Sequence, residues 1–274
     1  MGAMLSATSE MNLFKPRSSK LVAAGCMLLV CVLAAAWIWR TRQELHRLQG
    51  PTLVYWAWER PEDLRLLDPQ KEAVTFLASS VELLPDGANL FPRMQPLLLS
   101  PGTHLVAVVR IYSHPASPAS LNSVQFEAAV NAAVSATREP NVAALQIDFD
   151  ARNSERAFYL RLLTELRRRL GPQYPISMTA LASWCIGDRW IRGLPVDEAV
   201  PMLFSMGPEA SDVRHYLLSH ASFPDPLCRG SLGLSTREEW PKEIGGNTRV
   251  YVFNPQSWTR ESVEMVRSRF RGEK

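Results

Sequence analysis

Between residues 51 and 274, short runs rich in β-branched and aromatic residues alternate with longer amphipathic stretches, a pattern that restricts this part of the chain to parallel βα units. Six runs read as strands without ambiguity: Thr52–Trp58, Leu105–Ile111, Ala143–Phe149, Ile176–Ala182, Ala199–Phe204 and Arg249–Phe253. Two less regular runs, Val74–Leu77 (extendable to Leu83) and Ser231–Leu234, bring the number to eight. Helical periodicity covers Ser123–Arg138, Ser154–Leu170, Pro208–Ser219 and Thr259–Arg269. Eight strands interleaved with helices over 224 residues predict an α/β fold of the compact (β/α)8 TIM type, which needs about 200 residues or more. A doubly wound sheet would call for a glycine-rich turn after the first strand, and TLVYWAWERPEDL contains no glycine.

Charge divides the chain at residue 50. The first fifty residues hold six Lys/Arg and two acids, whereas the remaining 224 carry 24 basic and 25 acidic groups. A near-neutral domain gives no reason to expect nucleic-acid binding, which depends on a concentrated basic surface. From Leu21 to Trp39 nineteen residues run without a charge, close to the roughly 20 needed to span a bilayer core. Lys15, Arg17 and Lys20 precede the run, Arg40 and Arg42 follow it, and Trp37 and Trp39 stand where interfacial aromatics belong. The expected organisation is a basic tail over 1–20, a transmembrane helix or uncleaved signal anchor over 21–39, a linker over 40–50 and the barrel over 51–274. A cleaved signal peptide ending at Ala34-Ala35-Ala36 is the competing reading, and both export the domain. The expected location is the inner membrane, single-pass, with the barrel on the extracytoplasmic side.

In such a barrel, chemistry gathers at the carboxyl ends of the strands. In ALQIDFD, Leu145, Ile147 and Phe149 share one parity, while Gln146, Asp148 and Asp150 share the other and point into the barrel. Carboxylates two residues apart on one face lie about 6.5–7 Å apart at the backbone, so the charge on one raises the pKa of the other. That division suits one proton-holding acid and one anion, as in glycosyl transfer to water. The alternative is a structural pair bound to backbone N–H groups and Arg152. All six tryptophans of the domain, Trp56, Trp58, Trp184, Trp190, Trp240 and Trp258, fall at or just beyond strand ends, which predicts an aromatic mouth for sugar rings. Glu59, Arg110, Tyr112, Asp188, Arg189, Ser235, Glu238 and Asn254 are further polar candidates there, and His114 is the only histidine near it. No metal-ligand spacing, phosphate-cradling loop or serine elbow occurs, so no metal and no cofactor are implied. Cys185 follows the fifth strand at the top and Cys228 precedes the seventh at the bottom, a placement that argues against a disulfide.

The blocks LQIDFDARNSERAFYLRLLTELR, MTALASWCIGDRW, LPVDEAVPMLFSMG and CRGSLGLSTREEW resemble the bacterial family catalogued as domain of unknown function 3142, across essentially all of residues 51–270. That resemblance implies exported or membrane-anchored envelope proteins with a barrel fold. At the level of fold the chain is also similar to the chitinase group of glycoside hydrolases, whose fourth strand carries D-x-D-x-E. Aligning Asp148 and Asp150 with the two aspartates puts Arg152 in the place of the acid. Sliding the pattern by two matches Gln146, Asp148 and Asp150, with Asp150 a shortened acid, and strand parity favours this second alignment. PMLFSMG resembles that group's M-x-Y with Phe204 in place of the tyrosine, which argues against catalysis assisted by the substrate.

Together these features predict a membrane-anchored envelope protein whose glycoside-hydrolase-like barrel hydrolyses or modifies an extracytoplasmic polysaccharide. Asp150 is expected as proton donor and Asp148 as the group that tunes it, with Gln146, Trp58, Glu59, Arg110, Trp184, Asp188, Glu238 and Trp258 as substrate contacts. A non-catalytic glycan-binding or assembly protein on the same barrel is the main alternative, and a scaffold that receives a partner protein at the mouth is a third.

Overall fold

The computed structural model describes residues 27, 29–34, 50–187, 190–220, 222–242 and 244–272. It divides into two units, Met1–Leu45 and His46–Lys274. In the first, residues 27 and 29–34 are helical and exposed, and the rest of the proposed 21–39 anchor lies outside the described residues. Among the described residues no helix is long and apolar enough to cross a membrane.

The second unit is a closed barrel of eight parallel strands: β1 (Leu53–Ala57), β3 (Glu72–Leu83), β6 (His104–Ser113), β7 (Val142–Phe149), β8 (Ile176–Leu181), β9 (Glu198–Met202), β10 (Ser231–Ser235) and β11 (Arg249–Phe253). Sequential neighbours pair throughout, and β1 closes the ring by pairing with both β3 and β11. All eight runs expected as strands are present. Three short strands decorate the barrel: β2 (Glu62–Asp63) pairs with β5 (Leu97–Leu98), and β4 (Ala88–Pro92) runs antiparallel to the far end of β3.

Among the described residues three of the connections carry an α-helix, α1 (Ser123–Ala136) after β6, α2 (Arg156–Leu170) after β7 and α3 (Ala210–Ser219) after β9, and α4 (Arg260–Arg271) follows the last strand. Helix α1 starts on a reciprocal cap in which the Asn122 side chain accepts from the Gln125 N–H at 3.1 Å and the Gln125 side chain accepts from the Asn122 N–H at 2.8 Å. Thr259 caps α4 in the same way, by accepting from the Ser262 N–H at 3.2 Å. At α2 the N-cap position is Glu155 and not Ser154, and its side chain makes no bond to the helix; the buried carboxylate accepts instead from the Arg152 N–H at 2.7 Å, at the start of the 3-10 turn Asn153–Glu155 that leads into α2.

Two cores follow from closure. The larger lies between the strands and the outer layer, where Leu145, Ile147 and Phe149 of β7 meet Phe158, Tyr159, Leu162 and Leu166 of α2. The smaller fills the lumen with Val54, Trp56, Ala73, Leu77, Val108, Val200 and Tyr251. Trp56 fits because β10 offers Gly233 opposite it, where an added Cβ would lie 3.2 Å from the indole and 3.4 Å from the Met202 Cα.

The structure corrects the expectation for the cysteines. Cys185 and Cys228 form a disulfide with a Cα–Cα distance of 5.9 Å. Among the described residues the β8–β9 crossover has no α-helix: after β8 the chain enters a 3-10 turn, Ala182–Cys185, and Trp190, Ile191 and Leu194 fill the outer layer instead. A second such turn, Pro226–Cys228, follows α3, and both turns pack against β9. The two cysteines therefore meet on the flank of one strand and not at opposite ends of the barrel. A bridge spanning 43 residues of chain contributes about 2–4 kcal/mol, largely by restricting the unfolded state.

Candidate functional site

Strand parity carries the inward residues of β7 up the lumen in three steps. Gln146 is the lowest and is fully buried, so it does not reach the mouth as a substrate contact. Its side-chain oxygen accepts from Trp56 Nε1 at 3.0 Å, and its amide nitrogen donates to Ser177 Oγ at 3.2 Å. The chain of bonds continues downward: Ser177 Oγ donates to Glu198 Oε2 at 2.9 Å, Tyr251 donates its phenolic O–H to the same oxygen at 2.8 Å, and Arg249 stands 3.5 Å from Oε1. Glu198, which the sequence argument passed over, is thus the anchor of the lumen. Its signal is the inward parity it shares with Val200 in EAVPM.

Asp148 is the middle step, only 8% exposed, and accepts a 2.6 Å hydrogen bond from Thr179 Oγ1. Desolvation, followed by the negative charge of Asp150, raises its pKa to about 6, against the opposing effects of the Thr179 bond and Arg110. Asp150 is the top step, with half of its side chain exposed. Arg110 of β6 donates to Asp150 Oδ2 through Nη2 at 2.8 Å and Nε at 3.2 Å, so both bonds go to the same carboxylate oxygen. The same guanidinium lies 5.1 Å over the ring of Tyr112. Burial acts to lower the Arg110 pKa, but the bond and charge of Asp150, together with the charges of Asp148 and Glu59, outweigh it and raise it. Glu59, exposed after β1, therefore belongs to the same electrostatic cluster.

Parity also sorts the aromatic residues, and it corrects the expected ring of six tryptophans. Trp58 is half-buried against the top of the lumen core, edge-on to Phe253. Phe253 in turn stacks on Phe204 with ring centroids 5.5 Å apart and planes 8° apart. The two phenylalanines complete the platform, and their signal in the sequence is the inward parity they share with Tyr251 and Val200. Trp56 lies beneath, in the lumen. The other four belong to the outer shell: Trp184 stacks on Trp190 at 4.0 Å, Trp240 donates to the Ser235 carbonyl, and Trp258 is buried behind β1, edge-on to Tyr55 and donating to the Trp56 carbonyl at 2.8 Å. Trp258 is therefore a wall residue and not a substrate contact at the mouth.

The remaining candidates divide between loops and mouth. Glu238 is tied to the β9–β10 side, where it accepts from the Ser205 N–H at 2.9 Å and faces Arg214 at 4.0 Å. Ser235 and Asn254 close turns, by accepting from the Arg237 N–H and from Thr236 Oγ1. His114 is exposed, 3.0 Å from Glu82. Asp188 and Arg189 lie outside the described residues. The mouth is thus two-sided. Arg110, Tyr112, Asp148, Asp150 and Thr179 form a polar wall on β6, β7 and β8, facing an aromatic wall of Trp58, Phe204 and Phe253 on the β1, β9 and β11 side.

No protein-family model matches the chain, so the resemblance to family 3142 rests on the sequence blocks alone. No curated protein matches it. Among solved structures it is similar to a Streptomyces coelicolor protein described as a chitinase A, with 11% identity and a TM-score of 0.45, covering 74% of this chain and 92% of that one. It is also similar to a chitinase from Rhizomucor miehei, with 16% identity and a TM-score of 0.44, covering 71% of this chain and 72% of that one. At these values the likeness carries no inference about ligand or activity. The barrel rests on its own strand pairing, and the site on its own geometry.

The raised pKa of Asp148 has a consequence for stability. An acid that holds its proton more tightly when folded makes the folded state less stable as pH rises from the ordinary carboxylate range, near 4, to about 6. Asp148→Asn keeps an acceptor for Thr179 and removes the buried charge. It is expected to be more stable than the parent by about 2–3 kcal/mol at pH 8, with the gain gone at pH 3.5, as read by urea denaturation at the two pH values. An equal effect at both would contradict the buried-acid account.

Proposed function

We propose that the domain acts on an extracytoplasmic polysaccharide as a glycoside-hydrolase-like barrel. The observation that carries this reading is the pairing of a half-exposed carboxylate, Asp150, with a buried carboxyl raised to about 6, Asp148, across the mouth from an aromatic platform. Glycosyl transfer to water requires a proton delivered to the leaving oxygen and a negative charge beside the developing positive ring. Sugar rings stack their apolar faces on the Trp58–Phe253–Phe204 side, and the glycosidic oxygen then faces Asp150 Oδ1. Arg110 holds the other oxygen and fixes the carboxyl in place. Below about pH 6 Asp148 is neutral, so the pair carries at most one negative charge and retains a proton for the reaction.

A panel of soluble glycans assayed for reducing ends tests this. Turnover is expected, to fall as pH rises through about 6, and to drop about 10²–10⁴-fold both in Asp150→Asn and in Asp148→Asn, the latter because it removes the proton that the pair retains. The second reading, a glycan-binding protein without turnover, is favoured by the ion pair that engages Asp150 and by Arg152 in the third place of the D-x-D-x-E pattern. Tight binding with no reducing ends, unchanged in Asp150→Asn, would select it.

We further propose that residues 21–39 anchor the domain in the inner membrane with the barrel outside the cytoplasm. The Cys185–Cys228 disulfide supports an oxidising compartment, because cytosolic thiols are kept reduced. Protease added to intact spheroplasts is then expected to digest the barrel, and complete protection would contradict the placement.

A further inference from the structure

A cleft of about 560 Å³ opens beside the carboxylate pair and outside the mouth itself, within the roughly 300–1,000 Å³ typical of small-molecule sites. Arg152 and Asn153, which follow Asp150 within three residues, line it together with Glu209 and Asp212 at the start of α3. Apolar side chains make up part of the lining. Leu181 ends β8 two residues past Thr179, the partner of Asp148, and is 44% exposed; the largely buried Trp184 also lines the cleft. The cleft therefore adjoins the strand ends that carry the carboxylate pair. An exposed leucine and a tryptophan beside amide, guanidinium and carboxylate groups complement a pyranose, whose faces are apolar and whose perimeter carries hydroxyls. Neither Glu209 nor Asp212 forms an ion pair with a described residue.

We propose that this cleft is a second sugar-binding site, which holds units of a polysaccharide chain beyond those at Asp148 and Asp150. It rests on the polysaccharide reading above and adds to it that the ligand is an extended chain running over β8 toward α3. Trp184, turned away from the mouth, is then a contact at this second site.

The test is calorimetric titration of the full-length chain in detergent with chito- and cello-oligosaccharides of two to six units. For the series that binds, the six-unit member is expected to bind about tenfold or more tighter than the two-unit member. The variant Leu181→Asp/Asn153→Ala changes two surface positions. It is expected to abolish that gain while leaving two-unit affinity within about twofold. Equal affinity of two and six units, or a variant that binds six units as the parent does, overturns the second site and leaves the mouth standing. Failure of every oligosaccharide to bind overturns the polysaccharide reading and this inference together.

Discussion

Strand β1 hydrogen-bonds along both edges, to β3 and to β11, and this closure dictates most of what the rest of the domain must do. A closed sheet has no edge to protect but has an interior to fill, and here the interior is both apolar and polar. Trp56 occupies the middle of the lumen because Gly233 leaves room for it. The polar residues that share its parity gain by bonding to one another, since a buried group without a partner costs about 1–3 kcal/mol, a cost borne here by the hydroxyls of Thr75 and Ser231. The series Trp56, Gln146, Ser177, Glu198 and Tyr251 meets that demand. Fixing Gln146 fixes β7, so the next two inward residues of that strand come to rest at set depths. Asp148 is sealed beneath the rim and Asp150 stands at it.

Depth then differentiates two chemically identical groups. Asp148, desolvated and close to another negative charge, holds its proton toward neutrality, whereas Asp150 meets both solvent and Arg110. The two halves of the mouth differ for a related reason. Consecutive strands β6 to β8 place Arg110, Asp148 and Thr179 inward, while Trp58, Phe204 and Phe253 stand at or just past the ends of β1, β9 and β11. A ligand entering there meets a flat apolar surface on one side and fixed charges on the other.

The strands and helices were legible in the sequence because each rests on local information, a run of β-branched residues or an amphipathic repeat. The carboxylate pair was legible for the same reason, since parity along LQIDFD can be counted. Position at a strand end proved a poor guide to the tryptophans, because the end of a strand says nothing about which face a side chain takes. Trp58 shares the inward parity of Val54 and Trp56, whereas Trp258 lies past the end of β11 and turns back behind β1. Phe204 and Phe253 obey the inward parity and belong at the mouth. The disulfide was hidden by the same kind of assumption: a crossover without an α-helix among its described residues lets Cys185 fold back along β9, which no periodicity in residues 182–196 reports.

The account depends most on the claim that closure seals Asp148 into a site where it keeps its proton. Carboxyl ¹³C chemical shifts followed against pH, with Asp148 assigned by comparison with Asp148→Asn, measure this directly. The account predicts a midpoint for Asp148 near 6, moving downward when Asp150→Asn removes the neighbouring charge. A midpoint in the ordinary aspartate range near 4, indifferent to Asp150, would contradict it.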